Sequence, residues 1–254
     1  MSGNGGKENY TLKEYYKNIV SDALDKYKAF IEWDDSDKIE FKQLLDDMNK
    51  PFDASAETTK EKGDRLEKLV DFIISKTYFF EVFRNVHTET NEIDEVIRLS
   101  DQGKQAIHSL DLNRDLIPIK SDLFLGECKN YKSALGVTYV GKFYSLLTVS
   151  GISFGILFTT KGLTGNSEGY EDAYGLTKIL RIMETARGKD FYILTFTMED
   201  YQEMLEGTTF FDLVQAKKME MQLASKYSRF LSKNKHAAEE QIKAIISETT
   251  CLQS

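Results

Sequence analysis

Between Tyr10 and Asp47 the apolar positions Tyr15, Ile19, Ala23, Tyr27, Phe30, Ile31, Ile39, Phe41, Leu44 and Leu45 recur mostly three or four residues apart among charges. Positions spaced in this way return to one side of a helix, so the stretch predicts helices with a single apolar face. Asn49 to Thr59 breaks the pattern, because Pro51 removes a backbone donor and small polar residues follow it. A hinge is expected there, with a boundary near Ser55 that divides an N-terminal helical region, residues 1–55, from a main domain, residues 56–254. Helical spacing resumes over Asp64–Ser75, with Leu66, Leu69, Val70, Ile73 and Ile74 on one side. The period then shortens to two. Phe79–Thr88 and Glu92–Leu99 predict antiparallel strands turned through Glu89-Thr90-Asn91, the second with Ile93, Ile97 and Leu99 on one face and Asp94 and Val96 on the other. Leu123–Asn130 predicts a third strand, followed by a helix over Gly136–Val149 and a strand over Ser153–Thr159. A glycine-rich loop, Lys161–Gly169, precedes a helix over Glu171–Arg187 stopped by Gly188, a strand over Phe191–Phe196 and a mostly helical tail. This order implies an α/β fold, a mixed central sheet flanked by helices with an N-terminal helical appendage.

Composition sharpens the picture. The chain has 254 residues, 41% hydrophobic, with only 2 prolines, which is enough apolar material for a folded core and excludes a disordered chain. Phe143–Thr160 has no Asp, Glu, Lys, Arg or His over 18 residues, but its serines, threonines and glycines favour a helix ending at Gly151 and a buried strand over a membrane span. Lys and Arg total 33 against 41 Asp and Glu, a net charge of −8, which disfavours nucleic-acid binding by bulk positive charge alone and leaves local patches. Two basic stripes stand out: Lys120 to Ser145 has four lysines against Asp122 and Glu127, and Gln215 to His236 has six Lys or Arg against Glu220. Ile31 to Asp47 is acidic and suits protein contacts. Cys128 and Cys251 cannot make a disulfide framework, so a reducing cytoplasm is the expected setting. Met1–Lys7 is polar and reads as a flexible lead, and Gln253 stands where a prenylation box at Cys251 needs an aliphatic residue. His87, His108 and His236 lack ligand spacing, and no Gly-x-Ser-x-Gly elbow is present.

The chemistry concentrates in Leu123-Phe-Leu-Gly-Glu-Cys-Lys. A strand's period of two puts Glu127 and Lys129 on one face, after Leu123 and Leu125, while Cys128 points away. Asp94, on the neighbouring strand, is brought near Glu127 if the two pair. Two carboxylates about 4 Å apart repel by roughly 4 kcal/mol at an effective dielectric near 20, so they need a cation between them. Mg²⁺ or Mn²⁺ suits such a pair, since a hard ion takes one or two carboxylates and keeps water for a phosphate substrate. Lys129 beside it would hold or deprotonate the attacking water and counter the charge growing on phosphorus. Lys142, on the next helix, either reaches a substrate backbone or belongs to that helix's polar face.

Lys62-Gly-Asp-Arg-Leu-Glu67, Asn91-Glu-Ile-Asp94, Glu127-Cys-Lys-Asn130, Gly155-Ile-Leu-Phe and Lys161-Gly-Leu-Thr-Gly165 together resemble the PD-(D/E)xK nuclease superfamily, and within it the catalytic domains of Mrr-type restriction endonucleases. The resemblance covers Gly63 to Leu213, with Ile93-Asp94 standing where Pro-Asp is usual. It implies a restriction-endonuclease-like sheet, Asp94 and Glu127 as ligands of Mg²⁺ or Mn²⁺ with the Cys128 carbonyl as a third, Lys129 as catalytic and Glu67 as an accessory acid. Glu67 also reads as a solvated partner of Arg65 or Lys68. The implied activity is hydrolysis of DNA phosphodiester bonds in restriction or defence, by a homodimer, because duplex cleavage uses two sites. Two alternatives keep the fold: an inactive binding or assembly module, and a nuclease acting on RNA.

Overall fold

The computed structural model describes residues 22, 24–51, 58–87, 92–166 and 170–223. The expected boundary at Ser55, the turn at Glu89-Thr90-Asn91, the polar lead and the tail with Cys251 and most of the second basic stripe lie outside the described residues.

Helix α1 (24–31) leads to α2 (Asp35–Met48), which begins where Asp34 and Asp37 cap one another, the Asp34 carboxylate accepting from the Asp37 N–H at 2.8 Å. Helix α3 (Thr59–Ser75) starts earlier than its apolar spacing suggests. Thr58 and Glu61 form a reciprocal cap, with the Thr58 N–H donating to Glu61 at 2.6 Å, so polar residues extend the helix beyond its apolar stripe. Strands β1 (Phe80–His87), β2 (Glu92–Leu99), β3 (Leu123–Lys129), β4 (Phe154–Thr159) and β5 (Tyr192–Phe196) form one five-stranded sheet in chain order. The first two pairings are antiparallel and the last two parallel. Parallel neighbours require crossovers, supplied by α5 (Val137–Val149) and α6 (Asp172–Ala186). All of β4 is buried, as expected for a strand covered on both faces. Helices α7 (Met198–Leu205) and α8 (Phe210–Leu223) complete the described chain.

The sheet separates two cores. On one face Phe124, Ile156, Phe158 and Phe196 pack with residues of α2, α3, α7 and α8, and on the other Leu125, Leu157 and Ile193 pack with α5 and α6. The N-terminal helices share the first core: Phe41 is fully buried, with its ring 4.5 Å from Trp33 and 5.8 Å from Phe72. The chain is therefore a mixed α/β sheet flanked by helices, with a helical N-terminal region packed on it. No helix among the described residues is long and apolar enough to cross a membrane. The uncharged stretch divides as its glycines suggest, into the end of α5, a turn at Gly151 (φ 68°) and β4.

Two local expectations are corrected. The sequence pattern gave no helix between Leu99 and Leu123, yet α4 (Asp101–Ser109) lies there, capped by Ser100. It packs so closely on the α3–β1 corner that a Cβ on Gly103 would sit 2.4 Å from the Phe79 carbonyl oxygen. In β2 the alternation breaks at Asp94. Ile93 joins the core with Val96 on the α5–α6 side, and only Ile97 and Leu99 face α3. The partner strand shows why: Arg84 pairs with Glu95 and Val86 with Ile93, but Asn85, opposite Asp94, sits in the left-handed region at φ 50° and makes no ladder pair.

Candidate active site

Pairing of β2 with β3 ends at Glu95 and Gly126. Asp94 and Glu127 are thus the first residues past the ladder, at the carboxyl end of β3 where the parallel half of the sheet begins. The Asp94 carboxylate crosses to β3 and accepts from the Cys128 N–H at 3.2 Å. Lys129, two residues beyond Glu127 and on its face, places Nζ 2.7 Å from Asp94 Oδ2 and 2.8 Å from Glu127 Oε1. All three side chains are about one-fifth exposed, with values of 19–22%. The expected trio is brought into direct contact.

Electrostatics follow from that contact. Burial alone would lower the Lys129 pKa, but the Glu127 charge and the hydrogen bonds to Asp94 and Glu127 outweigh it and hold the ammonium well above the ordinary lysine range. Lys129 is consequently held as a cation that donates hydrogen bonds, and the expected deprotonation of the attacking water by its side chain is not available to it. Glu67, on α3, is partly buried. Its carboxyl is raised by burial first, then by Asp64 and Asp94, against the opposing Arg84 and Lys129, so it belongs to the electrostatic neighbourhood without joining the contact trio.

The donor set fits a small divalent ion. Two carboxylate oxygens already converge on one cation, and the partial exposure admits the waters that Mg²⁺ or Mn²⁺ retains. No group of three or more His, Cys, Asp or Glu side chains among the described residues forms a protein cage, so an ion here would take its other ligands from water, backbone or substrate. Cys128 contributes its backbone N–H to Asp94, while its thiol leaves through the opposite face and donates to Glu95 Oε1 at 3.2 Å.

Glu95 is the residue that the motif reading passed over. It is fully buried, and its Oε2 has no hydrogen-bond partner among the described residues. Burial pushes its carboxyl up to about 8, with the Cys128 thiol opposing and Glu67 and Asp94 adding. Alternation from Ile97 already places position 95 on the core face, and an acid at such a position was the available signal. Gly126 makes room for it, since a Cβ there would lie 2.5 Å from Glu95 Oε2.

The loops around the site are stitched together. Asn130 donates to the Lys62 carbonyl at 3.1 Å, fixing the end of β3 to α3, and the Thr160 hydroxyl donates to the Tyr131 carbonyl at 3.3 Å. Leu135 bridges Leu163, tying the loop after β3 to the glycine-rich loop after β4. A pocket of about 280 Å³ opens beside the trio, lined by Glu127, Lys129, Tyr131, Tyr139, Lys142 and Leu157. Lys142 therefore faces the site, and Lys132, Lys142 and Lys161 are exposed at this edge of the sheet. The second basic stripe fares differently in its described part. Lys217 is buried and paired with Asp200 at 2.8 Å, and Lys218 donates to the Pro118 carbonyl at 3.0 Å, so neither is a solvent-facing cation.

Comparison of the chain with family models, curated proteins and solved structures found no match.

Proposed function

We propose that this chain is a metal-dependent phosphodiesterase of the restriction-endonuclease-like kind that hydrolyses DNA. One observation carries the reading: Asp94 and Glu127 share a single cation at the carboxyl end of β3, at the edge where the parallel strands open. Here two acids past the end of a ladder converge on one lysine in a partly exposed site, which is an arrangement built to accept a further positive charge. Asp94 and Glu127 are the residues that would hold Mg²⁺ or Mn²⁺, and the ion would supply Lewis-acid polarisation of a phosphoryl oxygen.

The chain's own groups account for the rest. A water oxygen attacks phosphorus and gives up one proton to solvent, the bond from phosphorus to one ester oxygen breaks, and the departing oxygen takes one proton from solvent, leaving a phosphomonoester and an alcohol. Lys129, held charged by its neighbours, opposes the negative charge that grows on the phosphoryl oxygens. Lys132, Lys142 and Lys161 offer exposed cations for the flanking phosphates, which reconciles nucleic-acid binding with a net charge of −8. The setting in restriction or defence, the cytoplasmic location and the homodimer belong to the same proposal.

The test is incubation of the full chain with supercoiled plasmid and with single-stranded circular DNA, in Mg²⁺, in Mn²⁺ and in EDTA. Cleavage is expected with either metal, to be lost in EDTA and to be lost in Asp94→Ala. Wild-type cleavage that persists in EDTA, or Asp94→Ala at wild-type rate, overturns the reading.

A further inference from the structure

Tyr131 is 42% exposed directly after the Asn130 anchor, two residues beyond Lys129. Its ring centroid lies 5.5 Å from that of Tyr139 at 60°, and both rings line the same pocket as Glu127 and Lys129. A large aromatic side chain in water forgoes its burial, and here the backbone on either side is pinned, by Asn130 to α3 and by Thr160 to the Tyr131 carbonyl itself. An aromatic face held ready at the phosphate-binding point costs little further ordering when a flat ligand arrives. Lys142, exposed on the same pocket wall, supplies a cation beside the mutually paired Glu127 and Lys129, so the pocket combines an aromatic surface with a positive charge.

We propose that Tyr131, backed by Tyr139, is a stacking platform for an unpaired nucleobase next to the scissile phosphate, and that the substrate is single-stranded DNA. This deepens the hydrolytic reading and rests on it for the identity of the phosphate. Bases of an intact duplex are stacked on one another with their faces covered, whereas single-strand-binding sites pair a cationic track with aromatic side chains on which bases stack.

The experiment uses a single-stranded DNA oligonucleotide with one 2-aminopurine and the same strand in a full duplex, titrated in EDTA so that no cleavage occurs. Stacking on Tyr131 is expected to quench the probe in the single strand, and Tyr131→Ala to weaken that binding roughly 5- to 150-fold, the equivalent of about 1–3 kcal/mol per stacked base. Tyr131→Phe should bind like the wild type, because only the ring is required. Duplex binding should be weaker and indifferent to Tyr131→Ala. Single-strand binding unchanged in Tyr131→Ala, or a wild-type preference for the duplex, overturns the platform. The two readings fail separately: Lys129-dependent cleavage that ignores Tyr131 removes the platform alone, while Tyr131-dependent quenching by a protein without metal-dependent cleavage removes the hydrolytic reading alone.

Discussion

Replacing Glu95 by Gln changes almost nothing in shape and removes one ionisation from beneath the site. Glu95 is fully buried, with one oxygen accepting the Cys128 thiol and the other without a partner among the described residues. Its carboxyl is raised from 4.5 to about 8, so between those values folding takes up a proton. The sign follows: below about pH 4.5 the group is neutral in both folded and unfolded chains and opposes nothing, and the folded state loses stability as pH rises through about 8. That interval converts to a ceiling of about 5 kcal/mol at 1.36 kcal/mol per pH unit. Relaxation and water entry make the interior behave as a dielectric well above that of dry protein, and a loss of about 2 kcal/mol is expected. Glu95→Gln cannot ionise, and any packing offset it introduces is independent of pH. Urea unfolding of both proteins at about pH 5, 7 and 9 should therefore show the variant gaining about 2 kcal/mol relative to wild type across the range. A difference between the two proteins that stays constant within about 0.5 kcal/mol from pH 5 to 9 would refute the buried-acid argument.

Other perturbations probe other parts of the fold. Phe41→Ala removes a fully buried ring packed on Trp33 and Phe72, and should lower stability by about 3–5 kcal/mol while unfolding remains a single transition; a separate early transition for α2 would show that it does not share the core. Gly103→Ala would drive a Cβ to 2.4 Å from the Phe79 carbonyl and should destabilise by about 1–3 kcal/mol, whereas Gly141→Ala, in α5 with nothing within 4 Å, should stabilise by about 0.5–1 kcal/mol; urea midpoints distinguish the two. Lys129→Met leaves the Asp94 and Glu127 carboxylates without their shared ammonium, so the variant should melt lower in EDTA and regain more melting temperature from added Mn²⁺ than wild type does. A variant whose melting temperature ignores Mn²⁺ would contradict the cation site.

The elements easiest to foresee were those in which pattern and burial agree. The fully buried β4 and the helix α5 before it lie close to where an apolar run divided by Gly151 puts them, and the two-residue period of β3 correctly sets Glu127 and Lys129 on one face with Cys128 on the other. Asp94 was legible as the acid of the adjoining strand that pairing brings near Glu127, but its acceptance from the Cys128 N–H was not, because a two-residue period carries no trace of the break in alternation at Asp94, opposite Asn85 at φ 50°. Helix α4 was not legible because it is short and contains Gly103, and its position is fixed by close contact with Phe79. Lys217 and Lys218 looked like a surface stripe because lysine is almost always solvated, and only the tertiary contacts with Asp200 and Pro118 draw them inward.

The central claim, that Asp94, Glu127 and Lys129 form a phosphodiester-cleaving centre, is tested most directly by single-turnover cleavage of an end-labelled DNA oligonucleotide in Mn²⁺ by wild type and Lys129→Met, with circular dichroism establishing that both are folded. Loss of the ammonium that opposes transition-state charge should slow cleavage by about 10²–10³-fold. Equal rates in the two folded proteins, or no metal-dependent cleavage by the wild type, would contradict the claim.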